Sequence, residues 1–306
     1  SAASDVYKRQ LSSTTGKKKK KRISYFIRPV ARYLARLPIY ILTRMCSKHL
    51  FAPPTHNIIN NIMNQTIVQF YPDATKSLIA LTNALLISAA ARTKKPFYLA
   101  LSGGETARSL FEIWKNQYND PKRWKNVHFF WVDERCVSSE NEESNYHWAE
   151  KLFFKPVGIN PNHIYRIQGE DIPYREAERY SRLVAEMLPD SNGVPQFDCT
   201  LLGIGEDEHI ASIFNNDTDL LKSDDLYAVS RHPATGQRRI TQTGEVILAS
   251  REILIALVGE RKKELLHRLV ARKDQTITPA TYILSHTSRA TIFTEIELNS
   301  KELSFQ

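Results

Sequence analysis

The sequence predicts an α/β fold of three layers, in which a mostly parallel, Rossmann-like sheet has helices on both faces. Three observations support this prediction. From Met63 onward, apolar runs alternate with amphipathic helical stretches. The strongest runs, such as "PFYLAL", are uncharged, as expected of buried strands. A turn and another helical stretch follow most of them. Because no internal repeat or linker follows Met63, residues 63–306 are predicted to form a single domain.

Helices are predicted where apolar residues recur at helical spacing. The first covers about 74–91, and Ser144 or Asn145 is placed to cap the third. In order, the predicted helical stretches are 74–91, "TARSLFEIWKNQY", "SNYHWAEKLF", "REAERYSRLVAEML" and "RKKELLHRLV".

Strands are predicted in the apolar runs between these helices. In order, they are "PFYLALSGG", "VHFFWVDE", "FDCTLLGIG", "EILIALVG" and "ATIFTEI". In open α/β sheets, ligands bind outside the carboxyl ends of the strands. The segments that follow the strands are therefore where a functional site is expected.

Residues 1–62 differ from the rest in charge. They carry thirteen basic residues and one acid, a net charge of +12, whereas the remainder carries −3. The run "KKKKKR" is compatible with a membrane or nucleic-acid arm, a targeting peptide, or sequence foreign to the working protein. We interpret residues 1–62 as a disordered or extraneous leader, because the globular pattern begins at Met63.

Composition restricts the compartment and the partners. Cys46, Cys136 and Cys199 have no metal-like spacing, so neither a zinc site nor a disulfide framework is expected, and a cytoplasmic location is favoured. The mildly acidic body predicts no nucleic-acid or membrane partner for residues 63–306. A monomer or a small homo-oligomer is expected.

The first candidate site segment is "LSGGETARSLF". Ser102, Gly103 and Gly104 leave a strand with little side-chain bulk, so backbone N–H groups can close on an anion at the start of a helix. Thr106 can add a hydroxyl. The segment is equally typical of an ordinary strand-to-helix turn.

The second candidate segment places Asp133, Glu134 and Arg135 at the end of an apolar strand. Burying an acid and an arginine there is costly unless they pair with each other or hold a ligand. A structural ion pair is one interpretation. The other is an arginine that binds a phosphate or a developing oxyanion.

The third candidate segment is "GIGEDEHIASIF". Gly203 and Gly205 permit a tight turn, after which we expect a short helix with Asp207 as its N-cap and His209 in its first turn. A helix N-terminus favours a neutral imidazole, which can accept a proton. The segment therefore predicts a general base, or else an ordinary surface histidine.

The fourth candidate segment, 230–244, is predicted to be a loop that presents Gln237 and two arginines. Arg239 and Thr241 would share one side if the chain is extended. Lys262 lies at another strand-to-helix junction. Together the four segments predict a small phosphorylated substrate processed by proton transfer, without a metal cluster or a dinucleotide-binding motif.

These segments resemble the 6-phosphogluconolactonases. The ordered series "LSGGET", "WVDERCV", "SNYHWAEKLF", "FDCTLLGIGEDEHIAS", "HPATGQRRIT" and "LVGERKK" covers nearly all of residues 63–306. The resemblance implies the sheet shared with glucosamine-6-phosphate deaminases and ribose-5-phosphate isomerase. It also implies hydrolysis of 6-phosphoglucono-δ-lactone in the oxidative pentose phosphate pathway, without metal or cofactor.

The resemblance also implies roles for individual residues. His209 matches the histidine that activates water, Asp207 the acid two residues before it, and Arg135 the arginine of D-E-R, which with backbone N–H groups would stabilise the oxyanion. The residues expected to bind the substrate and its phosphate are Ser102, Gly103, Gly104, Thr106, Asp133, Gln237, Arg239 and Lys262.

The chain departs from the family beside the histidine. Where the family reads D-G-H-T, this chain has Asp207, Glu208, His209 and Ile210. Glu208 would be strained if the position requires a positive φ, and its charge is expected to repel a phosphate.

Two other functions are compatible with the same segments. A glucosamine-6-phosphate deaminase would carry D-E-Y rather than D-E-R, and "SIFNND" departs from its usual F-N-E-P. A non-catalytic sugar-phosphate sensor would use the basic leader as a nucleic-acid arm, but "KKKKKR" alone is not a DNA-reading motif.

Overall fold

The structure is a computed structural model that describes residues 55–59, 66–92, 95–271 and 277–298. By internal contacts, the chain divides into Ser1–Ala52 and Pro53–Gln306, and the second unit contains all the described residues. The predicted leader lies outside the described residues, apart from 55–59. Those five residues form a strand of the main sheet, so the sheet extends beyond the boundary predicted at residue 63.

The secondary structure alternates strands and helices. The strands are β1 (Thr55–Ile59), β2 (Thr66–Phe70), β3 (Phe97–Leu101), β4 (Val127–Trp131), β5 (Asp133–Arg135), β6 (Asp190–Ser191), β7 (Val194–Pro195), β8 (Cys199–Leu202), β9 (Tyr227–Arg231), β10 (Arg238–Gln242), β11 (Glu252–Ala256) and β12 (Ala290–Thr294). The helices are α1 (Ala74–Ala91), α2 (Gly104–Gln117), α3 (Asn145–Ala149), α4 (Lys155–Val157), α5 (Pro173–Met187), α6 (Gly244–Ala249), α7 (Lys263–Ala271) and α8 (Pro279–Ser285).

The main sheet has the strand order β1-β2-β12-β11-β8-β3-β4. β1 is antiparallel to β2, and every other neighbouring pair is parallel. The predicted α/β class, with a mostly parallel sheet, is therefore confirmed. Because β3, β4, β8 and β11 run the same way, the segments that follow them meet at one edge.

A second sheet of order β5-β10-β9, antiparallel throughout, lies at this edge. The predicted single strand over "VHFFWVDE" is wrong, because the chain leaves the main sheet after Trp131 and enters the second sheet at Asp133. In the segment 230–244, the predicted loop with Pro233 and Gly236 covers 232–237. The hairpin β9–β10 on either side of it was not predicted, because its strands are too polar to resemble a core strand.

Helix boundaries follow the sequence closely. α1 covers 74–91 as predicted, and Asp73 caps it by accepting from the Lys76 N–H at 2.7 Å. Ser144 caps α3, which continues through a π-helical segment, Glu150–Phe154, into α4. α1 is long and apolar enough to span a membrane by composition, and one of its faces is buried in the core of this domain.

An aromatic layer supports β4 from behind. Phe153 lies with its ring 4.8 Å from those of Trp114 and Trp124, and all three side chains are fully buried. Phe129 of β4 packs 5.6 Å from Phe153. Close packing of large rings leaves little freedom for β4, so the segment that follows it has a rigid base.

Candidate active site

The four predicted segments line one cleft at the carboxyl edge of the main sheet, with a volume of about 830 Å³. Such an opening is large enough for a small phosphorylated molecule. The predicted residues that line it are Ser102, Gly103, Gly104, Thr106, Asp133, Arg135, His209, Arg239 and Lys262. Asp207 and Gln237 do not line it. Asp207 contacts His209, and Gln237 contacts Glu143.

The segment that carries His209 is not helical, so the prediction of a short helix capped by Asp207 is wrong. Turns and isolated bridges form it instead, with Ile210 bridging both Ile204 and Ile213. Glu208 and Ala211 have φ of 68° and 52°, and left-handed residues interrupt a right-handed helix. The expected influence of a helix N-terminus on His209 is therefore absent.

Asp207 orients the imidazole directly. Its Oδ1 lies 2.5 Å from Nδ1 of His209, and the His209 backbone N–H lies 3.4 Å from the same oxygen. The hydrogen bond from His209 is the main cause that lowers the pKa of Asp207 to about 2. Because a carboxylate only accepts, Nδ1 carries the hydrogen in this contact, and Nε2 of the neutral ring is left with a lone pair.

Gly205 provides the space for this pair. Its N–H donates to the His209 carbonyl at 3.0 Å, and its carbonyl accepts from the Glu208 N–H at 2.9 Å. A Cβ on Gly205 would lie 2.1 Å from Nδ1 of His209 and 2.5 Å from Oδ1 of Asp207. Only a residue without a side chain fits here.

Gly205→Ala is therefore expected to displace the imidazole and lower turnover about 100-fold, since a shift of roughly 1 Å at a catalytic group has this effect. Gly203→Ala is the matched control, because a Cβ on Gly203 meets no heavy atom within 4 Å. Steady-state kinetics of both variants measure the difference. An equal loss of turnover in both variants, or no loss in either, would contradict the role given to Gly205.

Asp133 joins three segments of the site. It is buried, and its Oδ2 accepts from the Ser212 hydroxyl at 2.7 Å. Its carbonyl accepts from Nδ2 of Asn145 at 2.9 Å. The backbone N–H of Ser212 in turn donates to Oγ1 of Thr241 at 3.0 Å. Asp133 thus connects the histidine segment to the second sheet.

Glu134 has a structural role. Its buried carboxylate accepts from the backbone N–H groups of Arg135, Asn145 and Tyr146 and from the Ser144 hydroxyl, at 2.7 to 3.0 Å. Burial raises the pKa of Glu134 to about 7, against the opposing effect of these donors. The side chain therefore fixes the start of α3 beside the cleft.

Asn145 is a cleft residue that the sequence analysis did not select. It lies at the start of α3, and a Cβ on Gly103 would come 1.8 Å from its Oδ1. The absence of a side chain at Gly103 therefore lets the glycine loop pack on Asn145. The motif "SNY" could have indicated this, but a helix start is a sufficient explanation of that motif from sequence.

The glycine loop enters α2 without a side-chain cap. Gly103 occupies the N-cap position, and Gly104 has a φ of 85°, which favours glycine. The first N–H groups of this helix therefore face the cleft without a capping oxygen from Gly103. This arrangement suits an anion.

Two arginines lie directly opposite each other across β5 and β10. Arg135 pairs in register with Arg239, and like charges in such positions repel each other. Among the described residues, neither buried Nε finds a hydrogen-bond acceptor. Burial, and then the charge of Arg135, lower the pKa of Arg239 below its usual value. The pair therefore forms a cationic wall suited to a dianion.

The remaining predicted residues act at the borders of the cleft. Lys262 donates from Nζ to the Ile204 carbonyl at 2.6 Å, and burial lowers its pKa. Gln237 donates to Oε2 of Glu143 at 3.0 Å, and the Glu143 carbonyl accepts from Nη1 of Arg135 at 2.5 Å. The geometry thus places Gln237 behind Arg135 and not in the wall of the cleft.

Comparison with known proteins gives consistent matches. Residues 72–293 match the family described as glucosamine-6-phosphate isomerases/6-phosphogluconolactonase. A 6-phosphogluconolactonase of Treponema pallidum is 38% identical over 57% of this chain and 73% of its own length. One from Haemophilus influenzae is 37% identical over 60% of this chain and 75% of its own length.

Solved structures agree with this comparison. The crystal structure of devB protein is 35% identical and has a TM-score of 0.69. The match covers 74% of this chain and 94% of that protein.

Proposed function

Because this chain belongs to the glucosamine-6-phosphate isomerase/6-phosphogluconolactonase family, we propose that it hydrolyses 6-phosphoglucono-δ-lactone to 6-phosphogluconate. The relatives confirm the resemblance seen in the sequence and identify the chain as a lactonase enzyme. The substrate, the catalytic residues and a place in the oxidative pentose phosphate pathway belong to the proposal.

The observation that carries the proposal is the oriented histidine in a cation-lined cleft. Asp207 holds Nδ1 of His209 at 2.5 Å, and His209 shares the cleft with Arg135 and Arg239. An imidazole with a free Nε2 lone pair can take a proton from water. The two arginines, whose Nε atoms have no acceptor within the described part of the chain, can hold a phosphorylated substrate beside it.

In the proposed reaction, Nε2 of His209 accepts a proton as water attacks the lactone carbonyl carbon. The carbonyl becomes a tetrahedral oxyanion, which Arg135 or backbone N–H groups stabilise. The bond from this carbon to the ring oxygen then breaks, and the ring oxygen takes the proton from the imidazolium. The products are a carboxylic acid, which then loses its proton to solvent, and a free hydroxyl, and the neutral imidazole is regenerated.

The proposal puts the phosphate between the glycine loop and Arg239. Gly103 packs against Asn145, and Asn145 is hydrogen-bonded to Asp133 on β5. Since β5 pairs with β10, this chain of contacts brings the loop close to the arginine pair. A dianion there would satisfy both the helix N–H groups and the guanidinium donors.

The proposed function is tested by assaying the full chain for acid release from 6-phosphoglucono-δ-lactone, above the spontaneous rate, and for ammonia release from glucosamine-6-phosphate. We expect the first activity without the second, as Arg135 in place of a tyrosine implies. Ammonia release without lactone hydrolysis would replace the proposal with a deaminase. Binding of both compounds without turnover would replace it with a sensor.

A further inference from the structure

We propose that Glu208 is a positioning residue, which anchors the segment bearing His209 to the carboxyl-terminal helices. Glu208 stands where a glycine would be expected, because its φ is 68°, a conformation that costs free energy for a residue with a Cβ. Such a residue persists only where surrounding contacts hold it. The inference rests on the proposed function, since it concerns the same histidine.

The side chain of Glu208 does not face the cleft. It is buried, with 3% of the residue exposed, and it is absent from the residues that line the opening. Its Oε2 accepts from the Thr278 hydroxyl at 2.8 Å, and its Oε1 lies 3.3 Å from Nε of Arg268. The repulsion of phosphate expected from sequence is therefore not supported by this geometry, because the carboxylate is directed away and paired.

The backbone on both sides of Glu208 is anchored to the same helices. Its carbonyl accepts from the Ala280 N–H in α8 at 3.0 Å. Nη2 of Arg268 in α7 donates to the Glu206 carbonyl at 2.6 Å. Thr278, the partner of the carboxylate, is also the N-cap of α8. Three contacts thus converge on Glu208 and a fourth on Glu206, just before His209.

These contacts explain how a strained residue benefits the site. On the cleft side, the turn from Gly205 to His209 has few anchors: short-range internal hydrogen bonds and one from Nδ2 of Asn215 to the Asp207 carbonyl at 2.7 Å. Both Asp207 and His209 are partly exposed. With little packing of its own, such a turn would otherwise sample other conformations. The buried carboxylate of Glu208 holds it from the side opposite the cleft. The consequence is an imidazole kept at one position relative to the cationic wall.

The test compares Glu208→Gly, Glu208→Gln and Arg268→Met with the full chain, and uses Glu264→Gln on the exposed face of α7 as the control. Glycine adopts the backbone conformation without strain, so this variant separates strain from anchoring. We expect Glu208→Gly and Arg268→Met each to lower kcat about tenfold, with KM within about twofold, because the base shifts while the phosphate contacts remain. Glu208→Gln retains the hydrogen bond to Thr278, so its kcat should lie between those of these two variants and that of the full chain.

Amide hydrogen exchange provides a readout that does not depend on turnover. In Glu208→Gly, exchange should rise in residues 205–210 and stay unchanged in β3, β4 and β11. A kcat equal to or above that of the full chain in Glu208→Gly would overturn the inference, as would exchange that rises throughout the domain. If the full chain itself fails to hydrolyse the lactone, the proposed function fails, and exchange alone still decides whether Glu208 anchors the segment.

Discussion

Replacing His209 with alanine is expected to lower kcat for lactone hydrolysis by about 100- to 10,000-fold, the usual contribution of a positioned general base. The reason is specific to this arrangement. Asp207 fixes Nδ1 of the ring at 2.5 Å and leaves Nε2 as the acceptor in the cleft. KM should change little, because the phosphate contacts come from other segments. Stopped assays corrected for spontaneous hydrolysis give both constants.

His163→Ala is the matched control for this prediction. Its ring stacks 4.1 Å from that of His128, near the start of β4 and therefore at the opposite edge of the sheet. The control should retain full kcat. A His209→Ala variant that keeps more than half of the turnover would remove His209 from the reaction and leave Asp207 without its proposed purpose.

Arg239→Met is expected to lower activity strongly without lowering stability. Loss of a charged hydrogen bond to the substrate costs about 1.5 to 3 kcal/mol, which corresponds to a fall in kcat/KM of roughly 10- to 150-fold. The free energy of unfolding should stay the same or rise, because the substitution removes one of two like charges paired across β5 and β10. Kinetics and urea unfolding measure the two quantities.

Arg238→Met serves as the control on the same strand. Arg238 is exposed and precedes Arg239, so its side chain projects from the other face of β10. Arg238→Met should change neither kcat/KM nor the free energy of unfolding by a comparable amount. A clear loss of stability in Arg239→Met would show that Arg239 is a structural residue, contrary to the role given to it here.

The α/β class and the location of the cleft could be predicted from sequence because both depend on local pattern. Apolar runs such as 97–101 are buried strands, and the polar residues that follow them gather at one edge. The parallel direction of the strands is sufficient to bring Ser102, Arg135 and His209 together, whatever the details of the turns.

The details that failed depend on long-range contacts. Nothing local distinguishes a helix after Gly205 from the turns that occur, since the conformation is set by contacts with Arg268 and Thr278, 60 and 70 residues away. The hairpin β9–β10 was missed for a similar reason, because β10 is stabilised by pairing with β5, about a hundred residues earlier. The contact of the Gln237 amide with Glu143 likewise joins residues 94 positions apart, and the predicted substrate role of Gln237 stays a prediction.

Glu208 illustrates both the value and the limit of the sequence. The sequence analysis expected strain at Glu208 if the position requires a positive φ, and its φ is 68°. The direction of the side chain could not be inferred, because only the folded chain shows that Arg268 and Thr278 provide a buried partner for the carboxylate.

In the proposed reaction, a histidine base acts on a phosphorylated lactone held by the cationic wall. The most direct test compares kcat/KM of the full chain for 6-phosphoglucono-δ-lactone and for the unphosphorylated glucono-δ-lactone. We expect the phosphorylated lactone to be preferred by at least about 100-fold. A factor of ten corresponds to about 1.4 kcal/mol, and the charge-assisted contacts to phosphate together contribute several times this free energy. Equal kcat/KM for the two lactones would exclude this reaction scheme, because Arg135 and Arg239 would then have no anion to bind.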